Sequence, residues 1–486
     1  MSDFSDQIES QLKDLLHGSE GLVIKPLGKQ IVIGYMAGMV DSAQLNLNLI
    51  GRLVPLDHVN TLEELSDHIA IGDCKPFDKL SDAIEMLLSG FAIVLLKGVD
   101  GGLIVNVTNI PSRASSSADT ESTIYGPMIA FSESTEKNIA LLRAYITSDK
   151  LIQEKVQLDS ETNTTATLLY MNQEEKNPFV DLIRTRIKNK KIKGIIGSPL
   201  FLKLLTDTKY SVFPQMGLSE RPDRTAQAIL EGKVVVMVEG NSQVIIGPNT
   251  FTDFFQSVED RYSTWGIGMF NRSLRALALV ISVFITPLYV AALTYHYEMI
   301  PMPLLEPLIT SRSRVPFPPL LEALIMEISI ELLREAGARL PTKVGQTMGI
   351  VGGIVIGQAA VEAGFTSNIL ILLVALAALA SFTTPNYMMS SSIRVIRFPM
   401  LIAAGALGLI GITFFTAFLV IHLLRMTSYG KPYMYPLYPP NKSGLISSML
   451  VTEASQFRYQ TDLTKSNVKQ QSKSWISRWF KSNDNE

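Results

Sequence analysis

Hydrophobic and polar positions change their pattern once along this chain, near Trp265. Before that point apolar residues alternate with polar ones, as in segments that bury one face. After it, long uncharged runs appear. Ala276 to Tyr295 carries no charge and meets the ~20 residues needed to cross a ~30 Å hydrocarbon core. The pattern predicts spans near 274–295, 344–364, 367–385 and 398–424. Pro287 should kink the first, with Thr286 as a local partner for the freed backbone. Ala363 to Ile393 is uncharged for 31 residues, about 46 Å as one helix and too long for the core. Pro385 and Asn386 are therefore expected to end that span and leave a surface segment before Arg394 and Arg397.

One helical pattern among these runs is different. Residues 318–338 contain Glu322, Glu327, Glu331, Arg334 and Glu335. Five such residues at a bilayer centre would cost on the order of 12–17 kcal/mol, and the Leu and Ile residues return about a third of that. At about 100° per residue Glu327, Glu331, Arg334 and Glu335 share a face, whereas Glu322 points elsewhere. Snorkelling near the ends reduces this cost without cancelling it, so the balance disfavours a lipid-facing span. The helix is expected to lie at the interface, or to line water inside an assembly as a charged vestibule of Glu327, Glu331 and Glu335.

The segment "VGQTMGIVGGIVIGQAAVEAG" has two faces. Gly345, Gly349, Gly353 and Gly357 form a stripe along which backbones can approach closely. Thr347, Val351, Val355, Gln358 and Glu362 lie opposite. Either the stripe packs inside one subunit and the polar groups bond to neighbouring helices, or identical helices form a ring. In the ring Val351 and Val355 narrow an axis with Gln358 and Glu362 at its mouth. Span count stays open between four and five. Arg394 and Arg397 favour one, Arg425 and Lys431 the other.

In the first half, "IEMLLSGFAIVLLKGVDGGLIVNVT" (84–108) and "AILEGKVVVMVEGNSQVIIG" (228–247) each read as helix end, glycine, strand, turn and strand. Gly90 and Gly98 correspond in spacing to Gly232 and Gly240. The expected fold class is an α/β N-terminal soluble domain of two related α/β subdomains, followed by an all-α polytopic membrane domain. The divisions are 1–115, 116–265, 266–425 and a basic cytoplasmic tail at 426–486. "TATLLYM" (165–171) and "KIKGIIG" (191–197) look like further strands, and "DLIRTRIKNK" looks helical. Ser- and Thr-rich residues 110–123 form the linker. Ile8, Leu12, Leu15 and Leu16 fit one face of an N-terminal amphipathic helix, and no signal-peptide pattern precedes them.

Composition adds exclusions. The 486 residues are 18% charged with a formal net charge of −2, so bulk charge does not favour nucleic acid. The single Cys74 excludes an intramolecular disulfide framework and a Cys-based metal site. Catalytic, phosphate-cradling and metal-spaced motifs are absent, so no enzyme activity, cofactor or metal is expected. His422 is expected at the membrane interface. The tail's "SKSWISRWFK" (472–481) suits either an anionic membrane surface or solvent.

"SERPDRTAQAILEGKVVVMVEG", "PFPPLLEALIMEISIELLREAGARLP", "GQAAVEAG", "SFTTPNY" and "IRVIRFP", in this order, resemble the A subunit of GerA-type bacterial spore germination receptors. The stretch 124–143 departs from the family, with Tyr, Pro, Met and Ile where a basic-acidic stretch usually precedes the Phe. The resemblance implies a subunit of a nutrient-sensing receptor in the spore inner membrane, with the N-terminal domain and tail in the cytoplasm of the spore core. It implies a transporter-like B subunit that binds nutrient, a lipoprotein C subunit, membrane lipids and a self-assembled ring, a pentamer, as partners. It implies a channel that releases cations when the partners bind germinant, and it favours four spans plus the charged helix. The alternatives are a receptor scaffold without a pore or a solute transporter subunit.

Overall fold

The structure is a computed structural model. It describes residues 2–28, 30–56, 59–109, 121, 123, 125–157, 164–172, 177–188, 197–339 and 357–441. In the first soluble unit, helix α1 (Ser2–Leu15) precedes β1 (Leu22–Leu27) and β2 (Ile31–Met36). Then come α2 (Leu62–His68), β3 (Cys74–Phe77), α3 (Leu80–Leu88), β4 (Ala92–Leu96) and β5 (Gly102–Val105). The second unit has α4 (Thr135–Tyr145), β6 (Leu151–Gln157), β7 (Thr165–Met171), α5 (Pro178–Lys188) and α6 (Ser198–Leu205). It closes with β8 (Gly217–Ser219), α7 (Pro222–Leu230), β9 (Val234–Val238) and β10 (Val244–Gly247).

The two units are the repeat that the glycine spacing predicts. Their antiparallel sheets run β1-β2-β4-β5-β3 and β6-β7-β9-β10-β8, the same order throughout. Gly90 and Gly232 follow equivalent helices at φ 95° and 82°, and Gly98 and Gly240 turn equivalent hairpins at 85° and 80°. Side chains rarely adopt these values. Strands β4 and β9 are buried at every residue because helices and loops cover both sheet faces. Ala92, Val94 and Leu96 face one core while Ile93 and Leu95 face the other. Val234, Val236 and Val238 divide from Val235 and Met237 in the same way.

Strands β1, β3, β6 and β8 escape a reading of apolar runs, since they are edge-placed and either short or interrupted by charge, whereas β2 is an interior apolar strand that the sequence pattern above leaves unassigned. Leu12 in α1 and Leu16 just after it are buried as expected, but Leu15 is exposed. Residues 191–196 of the proposed strand and most of the 110–123 linker, with the 115/116 boundary, lie outside the described residues, and Gly197 is the N-cap of α6. The units meet around the buried Arg143, whose Nη2 donates to Ser19 Oγ (3.3 Å). Burial pulls its pKa down to about 10.

Five long helices follow among the described residues, α8 (Trp265–Thr294), α9 (Met302–Arg312), α10 (Pro319–Arg339), α11 (Asn368–Phe382) and α12 (Tyr387–Arg425), with a further helical stretch at 357–362. Two of them, α8 and α12, are long and apolar enough to cross a membrane. Helix α8 starts at Trp265, earlier than the expected 274, and carries Arg272 and Arg275 in its first turns, both paired with Asp260 ahead of the helix.

The expected single span at 398–424 is corrected. Helix α12 includes the supposed surface segment before Arg394, since Asn386 caps its start by accepting the Met389 N–H. It then folds back on itself at Gly408 (φ 61°, ψ −138°). As a straight rod, α12 would hold Ser392 and His422 about 45 Å apart. Instead Ser392 Oγ donates to Val212 O (2.6 Å) and His422 Nε2 lies 3.0 Å from Ser211 Oγ, on adjacent loop residues. A Cβ on Gly411 would collide with the Ala403 carbonyl, so the reversal requires glycine there. At the tip, Tyr295 O–H donates to Ala406 O (2.8 Å), satisfying a carbonyl at the end of the first arm. An uninterrupted apolar run gives hydropathy no sign of such a turn.

Candidate functional site

Helix α10 packs inside the helical bundle. Ala323 and Met326 join Tyr289, Val290, Leu370, Val374 and Leu401 in one buried cluster. This is neither arrangement expected from cost alone, and the reason is pairing. Glu327 is 2% exposed and its Oε2 accepts from Arg397 Nη1 at 2.7 Å. Glu327 Oε1 accepts from Thr286 Oγ1 (3.2 Å), so the partner of Thr286 is this carboxylate. Arg397 Nη2 also donates to Ser282 Oγ (2.8 Å) and Ala377 O (3.3 Å). Four helices thus meet at one ion pair. Burying a charge is tolerable when it is paired and hydrogen-bonded in this way.

One turn along, Glu331 accepts from Arg334 and Arg394, both at 3.0 Å. Arg334 donates to Ser381 Oγ (3.3 Å) and stacks 4.5 Å from the Phe382 ring centroid. At the other end, Glu322 is fully buried and Oε1 accepts from Ser367 N (2.6 Å) and Thr366 Oγ1 (3.2 Å). It thereby ties the start of α11 to α10, with Arg312 3.5 Å away. The face expected as a vestibule therefore splits. Glu327 is sealed inside the subunit, Glu331 is bridged by two arginines, and Glu335 is exposed and pairs with Arg339 (2.6 Å). Arg394 and Arg397 are likewise bundle residues, so they do not act as loop charges in the span count. Their role was hidden because their partners are some 60–70 residues away in sequence.

Of the glycine-striped segment, Gly345, Thr347, Gly349, Val351, Gly353 and Val355 lie outside the described residues. Gly357, Gln358 and Glu362 sit on the helical stretch 357–362. A Cβ on Gly357 would lie 3.9 Å from Ile371 of α11, so this end of the stripe faces the chain's own bundle. Gln358 Nε2 donates to Glu362 Oε1 (3.0 Å), and both residues are exposed. Glu362 opens onto a cleft of about 750 Å³ that Glu306, Arg314 and Asn368 also line. Among the described residues no cluster has three or more groups able to hold a metal.

The second soluble unit grips both ends of the helical region. Asp260 is 2% exposed and pairs with Arg272 (3.2 Å) and Arg275 at the start of α8. After α12, the hairpin β11 (Thr427–Ser428) and β12 (Lys431–Pro432) returns to the unit. Ser428 Oγ donates to Gln215 O and Tyr433 O–H to Pro214 O, both at 2.7 Å. Tyr429 is part of the unit's core, and burial pushes both tyrosine pKa values upward. His422 is held by Ser211 at this junction.

In the "SERPDR" motif, Arg221 is buried against Asp223 (2.8 Å), Pro127 O (3.0 Å) and Thr123. Tyr262 O–H donates to the same Asp223 carboxylate (3.0 Å). Burial, then the Asp223 charge, raises the Tyr262 pKa to about 12.

The sequence matches the family model described as Bacillus/Clostridium GerA spore germination protein over residues 9–462. It is 42% identical to spore germination protein GerQA of Bacillus cereus over 86% of this chain and 84% of that protein. It is 34% identical to spore germination protein A1 of Bacillus subtilis over 88% and 92%. The crystal structure of the N-terminal domain of the A subunit of the Bacillus megaterium spore germinant receptor GerK3 aligns at TM-score 0.39 and 25% identity. That alignment covers 51% of this chain and 95% of the other. This chain belongs to the GerA spore germination protein family, as an A-type receptor subunit.

Proposed function

We propose that this subunit forms the cation channel of a nutrient-sensing germination receptor and acts by conduction, without catalysis. Partner subunits, a transporter-like B and a lipoprotein C, bind the germinant and shift the channel from a dry to a wetted state. The receptor lies in the spore inner membrane with the soluble units and tail on the core side. Both ends of the helical region reach the second soluble unit, which favours an even number of crossings.

The observation that carries this reading is the contrast between Glu362 and the bundle carboxylates. Glu322, Glu327 and Glu331 each lie within 4 Å of an arginine, whereas Glu362 is exposed, hydrogen-bonds to Gln358 and opens onto a cleft. An exposed carboxylate in a membrane region is favoured where it meets water. In a closed ring of copies, the face of Thr347, Val351, Val355, Gln358 and Glu362 would meet that water at a shared axis. The ion path then runs between subunits, outside the paired charges of each bundle. Glu362→Gln should slow cation release from germinating spores several-fold while the mass of the receptor complex stays unchanged. Unaltered release would remove Glu362 from the path.

A further inference from the structure

We propose that the loop Lys209–Val212 of the second soluble unit is a membrane-surface anchor seated in the headgroups of an anionic leaflet. The inference rests on the helical region lying in a bilayer, and its test separates the two. Tyr210 is 99% exposed and Val212 50%, although both belong to a well-packed stretch. Their neighbours explain where they sit. Ser211 holds His422 near the end of α12, Val212 O accepts from Ser392 near its start, and Phe213 packs among Met389, Ile393 and Leu423. The loop is therefore fixed at the level where both arms of the α12 hairpin reach the soluble side.

Other amphipathic side chains share that end of the bundle. Tyr387 at the start of α12 and Trp265 at the start of α8 are 71% and 58% exposed. Aromatic rings with an apolar body and a polar edge favour this depth of a bilayer. Lys209 beside Tyr210, and Lys203 on α6, are also exposed and add positive charge that anionic headgroups attract. Water would leave a nearly bare tyrosine beside an exposed valine, whereas the headgroup layer accommodates both. The surface is continuous with the ends of the apolar helices, which selects lipid over a soluble partner.

The test uses the full chain with Cys74→Ser, reconstituted in phosphatidylcholine–phosphatidylglycerol vesicles. A polarity-sensitive fluorophore is attached at Tyr210→Cys or, separately, at Phe414→Cys, an exposed position on the apolar hairpin. A spin label near the lipid headgroup should remove most of the emission at 210, and one deep in the acyl chain should act more strongly at 414. Lys203→Glu with Lys209→Glu should weaken headgroup quenching at 210 in these vesicles but not in pure phosphatidylcholine. Quenching of 210 by aqueous iodide alone, or its shielding from iodide and lipid labels alike, would overturn the anchor while 414 still reports the bilayer. If neither position responds to lipid, the anchor and the membrane placement both fail. Equal quenching by the double variant in both vesicle types would overturn the anionic preference.

Discussion

The two soluble units share a skeleton but not a task. Lys79 and Arg221 precede equivalent helices, each in the N-cap position. Lys79 is exposed, whereas Arg221 is buried and gathers Asp223, Thr123 and the Pro127 carbonyl. The second unit also holds Asp260 against α8 and receives the β11–β12 hairpin. A repeated fold thus has one copy joined to the helical half by buried charge and aromatic packing. What distinguishes the copies is the side chains placed on equivalent backbone.

Substitution at the paired helix starts should expose the largest difference. Arg221→Ala removes the partner of a buried carboxylate and should cost about 3–5 kcal/mol, whereas Lys79→Ala should stay within about 0.5 kcal/mol. Arg397→Ala, which strands Glu327 in the bundle, should lose as much as Arg221→Ala. Denaturant or thermal unfolding of the purified chain reads all three, and equal losses for Lys79 and Arg221 would erase the proposed division.

The hairpin glycines should behave alike. A Cβ at Gly98 or Gly240 meets nothing within 4 Å, so alanine there costs only the left-handed backbone, about 1–2 kcal/mol each. Matching losses support a common skeleton. A selective effect at one site would mean that the two turns differ in more than side chains.

The contact between the second unit and its returning hairpin should also depend on pH. Lys431 of β12 lies near Asp253, Lys233 and Glu231, and burial lowers its pKa to about 8 despite the favourable Asp253 charge. A proton that the released hairpin holds up to the ordinary lysine range is lost in the docked state above about pH 8. Docking should therefore strengthen as pH rises from about 8 toward 10.5, and Lys431→Met should abolish that slope. Hydrogen-exchange protection of residues 427–433, corrected for the intrinsic pH dependence of exchange, measures it; a slope unchanged in the variant would exclude Lys431 as its source.

Much of the fold was legible where one rule acts locally. The glycines at 90, 98, 232 and 240 and the runs around them revealed the duplicated sheets, because turn chemistry and burial act on neighbours in sequence. The charged helix was located correctly from its period, but its setting was not. Its cost was reckoned for unpaired charges, and Arg394 and Arg397 stand far along the chain among residues that resemble a flank. The reversal at Gly408 was hidden for a related reason: alanine and glycine permit a tight return without interrupting hydropathy. Gln358 and Glu362, four residues apart, hydrogen-bond to each other on the exposed helical stretch 357–362.

Current through a planar bilayer containing the purified receptor, with and without germinant, addresses the central claim most directly. The account predicts a cation-selective conductance that needs germinant in the wild type and persists without it in Val355→Ala, where a smaller side chain eases wetting of the axis. A fully assembled receptor that carries no current under any of these conditions would contradict it.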